Sequence, residues 1–295
     1  MLAHRLAVVT AAATFVLILF GGLVTNTGAG LAVPDWPSTF GRNMFLFPWS
    51  RMIGGVFYEH SHRLLGATVG LLTLALAAAL WPRGGRLRAL GLVAVAAVVV
   101  QGVLGGLRVV LLEDALAIVH GALAQAFFAL VVTLALLTSP RMATASAPAD
   151  RGLRALAVGA AALAYLQIVF GTLLTHAGRL DLHLAGAVAV FAVLPVLTAR
   201  ARRAGDPVAA PAARLLLVLL GAQLLLGAGA YLARFSPIWI PGGQVTVLAL
   251  PVAHRLVGAL IFAATVVLAL RLTLATPAAA RPAAALHGAL AGHAR

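Results

Sequence analysis

The residues best suited to chemistry in this sequence are four histidines that stand beside long apolar runs. They are His62, His120, His183 and His254. A lone histidine in a membrane helix more often packs through a hydrogen bond than binds a ligand, but one on every second run favours a shared task. Two imidazoles that face each other across a helix bundle form an axial ligand pair for haem iron. Zinc or copper sites need three or four clustered ligands, so we predict haem.

A carboxylate accompanies the first of these histidines. In the segment 58–63, Glu59 stands three residues before His62, and on a helix this spacing puts both on one face. Ionisable groups beside hydrocarbon are expensive and are functional candidates for that reason. The counterpart region near His183 holds no glutamate, so we expect Glu59 to be a catalytic group that accepts or relays a proton. The alternative is a solvated acid at a helix start, favoured there by the helix dipole.

Two arginines directly follow candidate ligands, Arg63 after the first histidine and Arg255 after the last. Arginine binds carboxylates bidentately, so these side chains are expected contacts for haem propionates. Further candidates are Arg108, Arg179 and Arg234. Snorkelling of each arginine to lipid headgroups is the alternative interpretation.

The other histidines carry less information. His60 and His176 fall at the outer interface, where we expect a solvated or hydrogen-bonded imidazole. Three more, His4, His287 and His293, stand in the tails and indicate no function.

The elements that position these residues are membrane helices. The chain of 295 residues is 62% hydrophobic and 9% charged, whereas a soluble domain is about 25% charged. Its net charge of +14 comes from arginine alone, and the arginines cluster in short connections between apolar runs. That placement is typical of membrane topology and argues against nucleic-acid binding. The absence of cysteine excludes disulfides and thiolate sites.

Eight apolar runs are each long enough to cross a bilayer, which takes about 20 residues. The predicted spans are Leu6–Val24, Glu59–Leu80, Ala89–Val109, Ala117–Thr138, Ala155–Thr175, Leu182–Ala199, Leu215–Ala233 and Leu250–Leu272. The sixth is expected to be short and to end near Pro195. The sequence therefore predicts an all-α integral membrane protein with eight transmembrane helices.

Arginine bias orients the predicted bundle. Fourteen of the 21 arginines fall at one set of span ends, which also holds both termini. Because positive residues favour the cytoplasmic side, we expect cytoplasmic termini and even-numbered spans that begin at the outer face. The four histidines then lie close to the outer face.

Internal similarity divides the chain into two four-helix halves. Residues 21–28 match residues 171–178 at Gly, Leu, Thr and Gly positions. A Gln-x-x-x-Gly pair also recurs on the third, fifth and seventh spans, as Gln101/Gly105, Gln167/Gly171 and Gln223/Gly227. We predict halves at 1–143 and 144–295, related by pseudo-symmetry, with two of the four histidines in each. The long first outer loop, residues 26–58, is expected to lie on the membrane or to cap a site.

The pattern of motifs resembles the haem A synthase family, membrane enzymes that convert haem O to haem A for cytochrome oxidase. The resemblance covers nearly the whole chain. It is carried by Gly21-Gly22-Leu23-Val24 with Thr27-Gly28-Ala29-Gly30, Pro34-Asp35-Trp36-Pro37, Glu59-x-x-His62-Arg63, His120, His183 and His254-Arg255.

The resemblance implies roles for these residues. His62 and His120 would lie at the substrate-haem site, and His183 and His254 would ligate a resident haem b through its iron. Glu59 would be the essential carboxylate. The reaction would oxidise one porphyrin methyl group of haem O successively to a formyl group. Haem O synthase and cytochrome oxidase assembly factors would be the partners, in the lipid bilayer of a bacterial-type plasma (inner) membrane, with no nucleic acid involved.

One departure from the family is the absence of cysteine, since many bacterial members carry cysteine pairs in outer loops. A thiol-dependent step cannot operate in this chain. Two other functions remain compatible with the sequence. A b-type membrane cytochrome that passes electrons from quinol would use the same histidines, and a transporter built from two repeats would need broken helices near the midplane.

Overall fold

Eight long helices form the protein within the residues that the computed structural model describes, 1–143, 149–238 and 240–274. They are α1 Leu2–Asn26, α2 Gly55–Leu80, α3 Gly85–Leu111, α4 Asp114–Leu137, α5 Arg151–Ala177, α6 Leu180–Arg203, α7 Ala209–Phe235 and α8 Gly243–Thr273. Each is long and apolar enough to cross a membrane. The eight predicted spans and the all-α membrane class are confirmed.

Most of the predicted spans were shorter than the helices. The clearest error is the end of the sixth span. Helix α6 does not end near Pro195 but continues to Arg203. Proline is tolerated inside membrane helices where neighbouring helices and hydroxyl side chains compensate for the lost backbone bond. Here Leu194 and Leu197 are fully buried on either side of the proline, and the Thr198 hydroxyl donates to the Pro195 carbonyl at 2.8 Å.

Consecutive helices pack as antiparallel hairpins, and the apolar core has separate parts. One part lies among α1–α4, around Leu76 and Leu134, and another lies among α5–α8, around Leu194 and Leu268. Smaller clusters join α8 to α1, α4 and α5. Burial on both faces explains why α8 is apolar around much of its circumference.

The connections differ greatly in length. Two residues join α3 to α4 and two join α5 to α6, whereas residues 27–54 separate α1 from α2. This long connection, here called the outer loop, contains two short 3-10 turns, Met44–Leu46 and Trp49–Arg51. Only the α1–α4 part of the described chain carries such a loop.

At the opposite end of the bundle, Arg271 of α8 is fully buried and forms an ion pair with Asp206 at 3.0 Å. The Arg271 guanidinium also donates to the Met142 carbonyl at 3.3 Å. Burial alone would raise the pKa of Asp206. The guanidinium and the N–H groups of Ala209 and Val208 outweigh it and hold that pKa below its usual range.

Two predictions fall at or beyond the described residues. The expected boundary between the halves, after residue 143, borders the undescribed residues 144–148. The tail histidines His287 and His293 lie outside the described residues as well.

Candidate active site

The four candidate histidines come together as two facing pairs. His62 of α2 faces His120 of α4 with ring centroids 6.5 Å apart and planes at 81°. His183 of α6 faces His254 of α8 with centroids 6.1 Å apart and planes at 70°. All four side chains are half-buried. Residues far apart in sequence therefore form the pairs that the sequence predicts.

The spacing within each pair fits a metal ion held between the rings. An imidazole nitrogen lies about 2.0–2.1 Å from a first-row metal ion that it binds, so two rings on opposite sides of one iron have centroids about 6–6.5 Å apart. Both observed separations lie in this range. The described residues contain no cluster of three or more potential metal ligands.

Each imidazole lies against a glycine of the preceding helix. A Cβ atom at Gly21 would lie 3.2 Å from His62 Cε1, and one at Gly227 would lie 2.9 Å from His254 Cε1. The remaining two contacts follow the same scheme, with Gly105 against His120 at 3.3 Å and Gly171 against His183 at 3.6 Å. A side chain at these positions would fill the space that the rings occupy.

Three of the four rings in these cradles have one nitrogen without a hydrogen-bond partner among the described residues. The buried Nδ1 atoms of His62, His120 and His254 have no hydrogen-bond partner among the described residues. Buried polar atoms in proteins are nearly always hydrogen-bonded, and exceptions point to a functional group. Together with the ring separations and the glycine cradles, this chemistry fits haem iron held by both pairs.

The glutamines beside three of these rings were not predicted as site residues. Gln167 Nε2 lies 3.2 Å from His183 Nδ1 and 2.9 Å from its carbonyl oxygen, to which it donates. Gln223 Nε2 lies 3.1 Å from His254 Nε2. The Gln-x-x-x-Gly repeat was the sequence feature that marked them, although it was interpreted only as a sign that the chain has two halves.

Glu59 is buried at the start of α2 and is fully engaged. Its Oε1 accepts from Arg63 at 2.7 Å, and its Oε2 accepts from the backbone N–H of Val33 at 2.9 Å. The side chains of Glu59 and Arg63 are 5% and 10% exposed. This carboxylate is therefore a buried, paired group that contacts the outer loop, in contrast to a solvated helix-start acid.

Arg63 holds the outer loop through three backbone carbonyls. It donates to Asp35 O at 2.7 Å, to Ser38 O at 3.0 Å and to Val33 O at 3.1 Å. With Glu59 as the fourth partner, both terminal nitrogens of the guanidinium are engaged. A propionate contact by Arg63, which the sequence predicts, would have to compete with these bonds.

The outer loop has its own internal organisation around Asp35. Its carboxylate accepts from the Ser38 hydroxyl and from the N–H groups of Phe40 and Gly41, at 2.7 and 2.8 Å for the two backbone donors. Burial alone would raise the pKa of Asp35, but these hydrogen bonds outweigh it and lower that pKa. The ordered turn delivers the Trp36 ring to α3, where a Cβ at Gly106 would overlap the indole.

His60 is hydrogen-bonded, which is one of its two predicted environments, and it is buried instead of solvated. It is 1% exposed, its Nδ1 lies 3.1 Å from the Thr39 hydroxyl, and its ring lies 5.1 Å from that of Phe47. The outer loop therefore covers this side chain. His60 joins the loop to α2 and has no facing imidazole.

The remaining arginines divide into paired and weakly engaged side chains. Arg179 forms an exposed ion pair with Asp181 at 2.7 Å. Arg108 reaches only the Gly30 carbonyl, at 3.3 Å, and Arg255 only the Gly21 carbonyl, at 3.5 Å. Both of these guanidiniums lie near the end of α1, where the described residues offer them no carboxylate within ion-pair distance.

Part of the chain matches a known family. Residues 50–180 match the family COX15-CtaA, described as cytochrome oxidase assembly protein. This segment of the chain is similar to that family. The resemblance predicted from the motifs is thereby confirmed over the segment that contains Glu59, His62 and His120.

The relatives are proteins named haem A synthase. One from Shouchella clausii is 33% identical over 135 residues, which cover 44% of this chain and 44% of that protein. One from Bacillus licheniformis is 34% identical over 137 residues, or 45% of this chain and 44% of that protein. One from Alkalihalophilus pseudofirmus is 32% identical over 135 residues, or 44% of each. The chain thus matches less than half the length of these haem A synthases.

Proposed function

We propose that this protein is a haem A synthase-like oxidoreductase that converts haem O to haem A. The reaction oxidises one porphyrin methyl group stepwise, with loss of water from a diol, to a formyl group, and supplies haem A for cytochrome oxidase assembly. The observation that carries the proposal is the facing pair His62 and His120, with ring centroids 6.5 Å apart, within the segment that matches the family and that also holds the buried Glu59 one helical turn before His62.

The two histidine pairs have different tasks in this proposal. His62 and His120 bind the iron of the substrate haem O, whose long farnesyl tail suits a site open to lipid. His183 and His254 hold a resident haem b. Bound haem supplies the redox chemistry that side chains lack for oxidising a methyl group.

Glu59 acts in the first half as a proton acceptor or relay. Arg63 pairs with one oxygen of the carboxylate at 2.7 Å, and Val33 N–H fixes the second oxygen. An oriented carboxylate one helical turn before His62 on α2 is suited to take a proton that is released during oxidation. The same ion pair holds the outer loop, so the loop covers the half in which we place the chemistry.

Arg108 and Arg255 are the stronger candidates for the substrate or cofactor propionates. Each makes only one long contact with a backbone carbonyl, whereas Arg63 is engaged by four partners. Bidentate binding of a carboxylate would give these guanidiniums the charged partners that the described residues do not supply.

We further propose an inner-membrane protein of two pseudo-symmetric four-helix halves, with cytoplasmic termini and haem sites near the outer face. Separate apolar cores in α1–α4 and α5–α8 support the halves, and arginine bias supports the orientation. Because the chain lacks cysteine, single cysteines at Ser50 and Ser139 report the topology cleanly. An impermeant maleimide should label intact cells at position 50 only, and labelling at 139 alone would invert the orientation.

The function is tested by co-expression with a haem O synthase, followed by a visible spectrum of the purified protein and extraction of its haems. Haem A among the extracted pigments is the expected result. Unchanged haem O with redox-active haem b would indicate the b-type cytochrome instead. A colourless protein would overturn both functions.

A further inference from the structure

Three of the four histidines each have a glutamine partner, and the three glutamines occupy the same position relative to their histidines. Gln167 and Gln223 reach ring nitrogens of His183 and His254 at 3.2 and 3.1 Å. Gln101 donates to the backbone carbonyl of His120 at 3.2 Å. In each case the glutamine belongs to the helix that precedes the histidine's own helix.

The glutamine and the cradle glycine form one surface. Glycine follows glutamine by four residues in all three helices, and residues at this spacing lie on the same helix face. The glycine provides the space for the ring, and the amide lies one turn below it. On the histidine's own helix, Gly186 and Gly258 leave room for the amides of Gln167 and Gln223, since a Cβ at either would contact the amide.

The amide oxygens of these glutamines have no partner in the described chain. Oε1 of Gln101, Gln167 and Gln223 is buried and makes no hydrogen bond. An unpaired buried acceptor is costly, so its position requires a reason. The nitrogen and oxygen of a glutamine amide exchange positions when the amide is rotated by 180°. An amide rotated in this way would offer its oxygen to an imidazole N–H.

The first hairpin breaks the pattern. Gly21 cradles His62 as the other glycines cradle their rings, but the residue four positions earlier is Leu17. The Leu17 side chain can neither donate nor accept, and the His62 ring bonds the Leu17 backbone carbonyl, as the His120 ring bonds the Gln101 backbone carbonyl. The buried Nδ1 atoms of both rings have no hydrogen-bond partner among the described residues. One of the four candidate ligands therefore lacks the side-chain amide that accompanies the other three.

We propose that Gln167 and Gln223 are positioning residues that fix the ring orientation and tautomer of His183 and His254 as haem ligands. In the first pair no side-chain amide contacts a ring among the described residues, because Gln101 reaches the His120 backbone carbonyl and position 17 is leucine. This inference rests on the proposed function, because it requires haem at both pairs. An imidazole that binds a metal usually donates its other N–H to a fixed acceptor, which sets its tautomer and raises its basicity.

This difference between the two histidine pairs matches their proposed tasks, which are to exchange a substrate haem and to hold a resident haem. A resident cofactor needs two fixed ligands, and the second pair has a glutamine on each member. A substrate must enter and a product must leave, and among the described residues neither ring of the first pair is contacted by a side-chain amide. The residues beside the rings thus distinguish a permanent from an exchanging haem site without reference to the reaction.

The test uses purified full-length protein in nanodiscs and measures the rate of haem transfer to apomyoglobin. Gln→Met keeps side-chain length and removes the amide, so Q167M and Q223M should each release haem from the second site about 10–100 times faster. L17Q should slow release from the first site by a similar factor. Q125M is the matched control, because Gln125 is a buried glutamine without a histidine contact, and it should release haem at the wild-type rate.

Low-spin EPR signals and histidine ¹⁵N shifts give the second measurement. Q223M should change the g-values of one haem and the ¹⁵N shifts of one histidine, whereas Q125M should change neither. Wild-type release rates and spectra in Q167M, Q223M and L17Q would overturn the inference. If the protein binds no haem, the proposed function fails, and the ¹⁵N shifts of the apoprotein still decide whether the glutamines set the histidine tautomers.

Discussion

At the scale of single residues, the absence of a side chain at the cradle glycines is as important as the histidines themselves. A Cβ at position 227 would approach His254 Cε1 to 2.9 Å, below ordinary contact distance, whereas one at Gly221 on the same helix would meet no atom within 4 Å. Alanine is favoured over glycine inside helices by about 0.5–1 kcal/mol. Local helix propensity and site geometry therefore act in opposite directions at position 227.

We expect G227A to displace the His254 ring and to lose most of the haem held by the second pair. G221A, on the same helix, should keep the haem and melt at the same or a slightly higher temperature. The measurement is the haem-to-protein ratio from the Soret band together with thermal melting in detergent. Equal haem content in the two variants would show that the cradle does not constrain the ring.

Glu59 offers a second test at this scale. E59Q keeps the shape of the side chain and removes its charge, so haem should still bind while haem A formation falls by about 10²–10⁴-fold. R63K, which keeps a cation but loses the guanidinium fork, controls for loosening of the outer loop. Haem A formation at the wild-type rate in haem-replete E59Q would exclude the proton role.

The histidine pairs could be predicted from the sequence because their types and positions on alternate spans carried the information. The environment of Glu59 could not be predicted. Its partner Val33 lies 26 residues away in a loop without regular structure, and a contact of this kind depends on how the loop folds back over α2. The burial of His60 could not be predicted for the same reason. Thr39 and Phe47, which contact this side chain, belong to the same loop.

At the scale of elements, the eight helices followed from apolar length, but their ends depended on local bonds. Helix α1 runs past Val24 because Thr25 and Asn26 bond back to the carbonyls of Gly21 and Gly22. Apolar length alone carries no information about such bonds. The outer loop is the element that sequence patterns described least.

The two 3-10 turns of the outer loop and the residues just after them present apolar side chains outward. Leu46, Trp49 and Ile53 are 78%, 76% and 75% exposed. Exposed aromatic and aliphatic side chains next to membrane helices favour the lipid–water interface. We expect this face of the loop to lie in the headgroup region, with Trp49 as an anchor.

Lipids brominated near the headgroup should therefore quench the fluorescence of Trp49. The W49F variant should lose that part of the quenching, and a change at Trp81, at the other end of α2, should leave it intact. Equal quenching in wild-type protein and W49F would indicate that the turns face water.

At the scale of the whole molecule, the ion pair of Asp206 and Arg271 joins the end of α8 to the α6–α7 connection. Removing one partner of a buried pair costs about 3–5 kcal/mol, since a charge is left without compensation. D206N should lower the melting temperature strongly. D181N, which removes a pair whose carboxylate side chain is 63% exposed, should change it little, because exposed pairs contribute about 0–1 kcal/mol.

The same pair sets a pH dependence of stability. The pKa of Asp206 is lower in the folded protein than its ordinary value of 3.8. Its stabilisation is therefore complete above that ordinary value and is lost as the pH falls through the lower, folded pKa. Melting curves between pH 6 and pH 3 should show a steeper acid loss for the wild type than for D206N. Parallel curves would contradict this assignment.

Helix α8 has a consequence for the biogenesis of the protein. It contributes His254 to the second pair and packs against α1 and α4 through Ala259 and Ala263, which contact Ile18 and Phe128. Translation produces α8 after the other seven described helices, so neither the second histidine pair nor the junction of α1, α4 and α8 exists before α8 has been synthesised. Under the proposed function, haem therefore enters the second pair only after that point, and ribosome-bound chains that lack α8 carry an open seam for quality-control proteases.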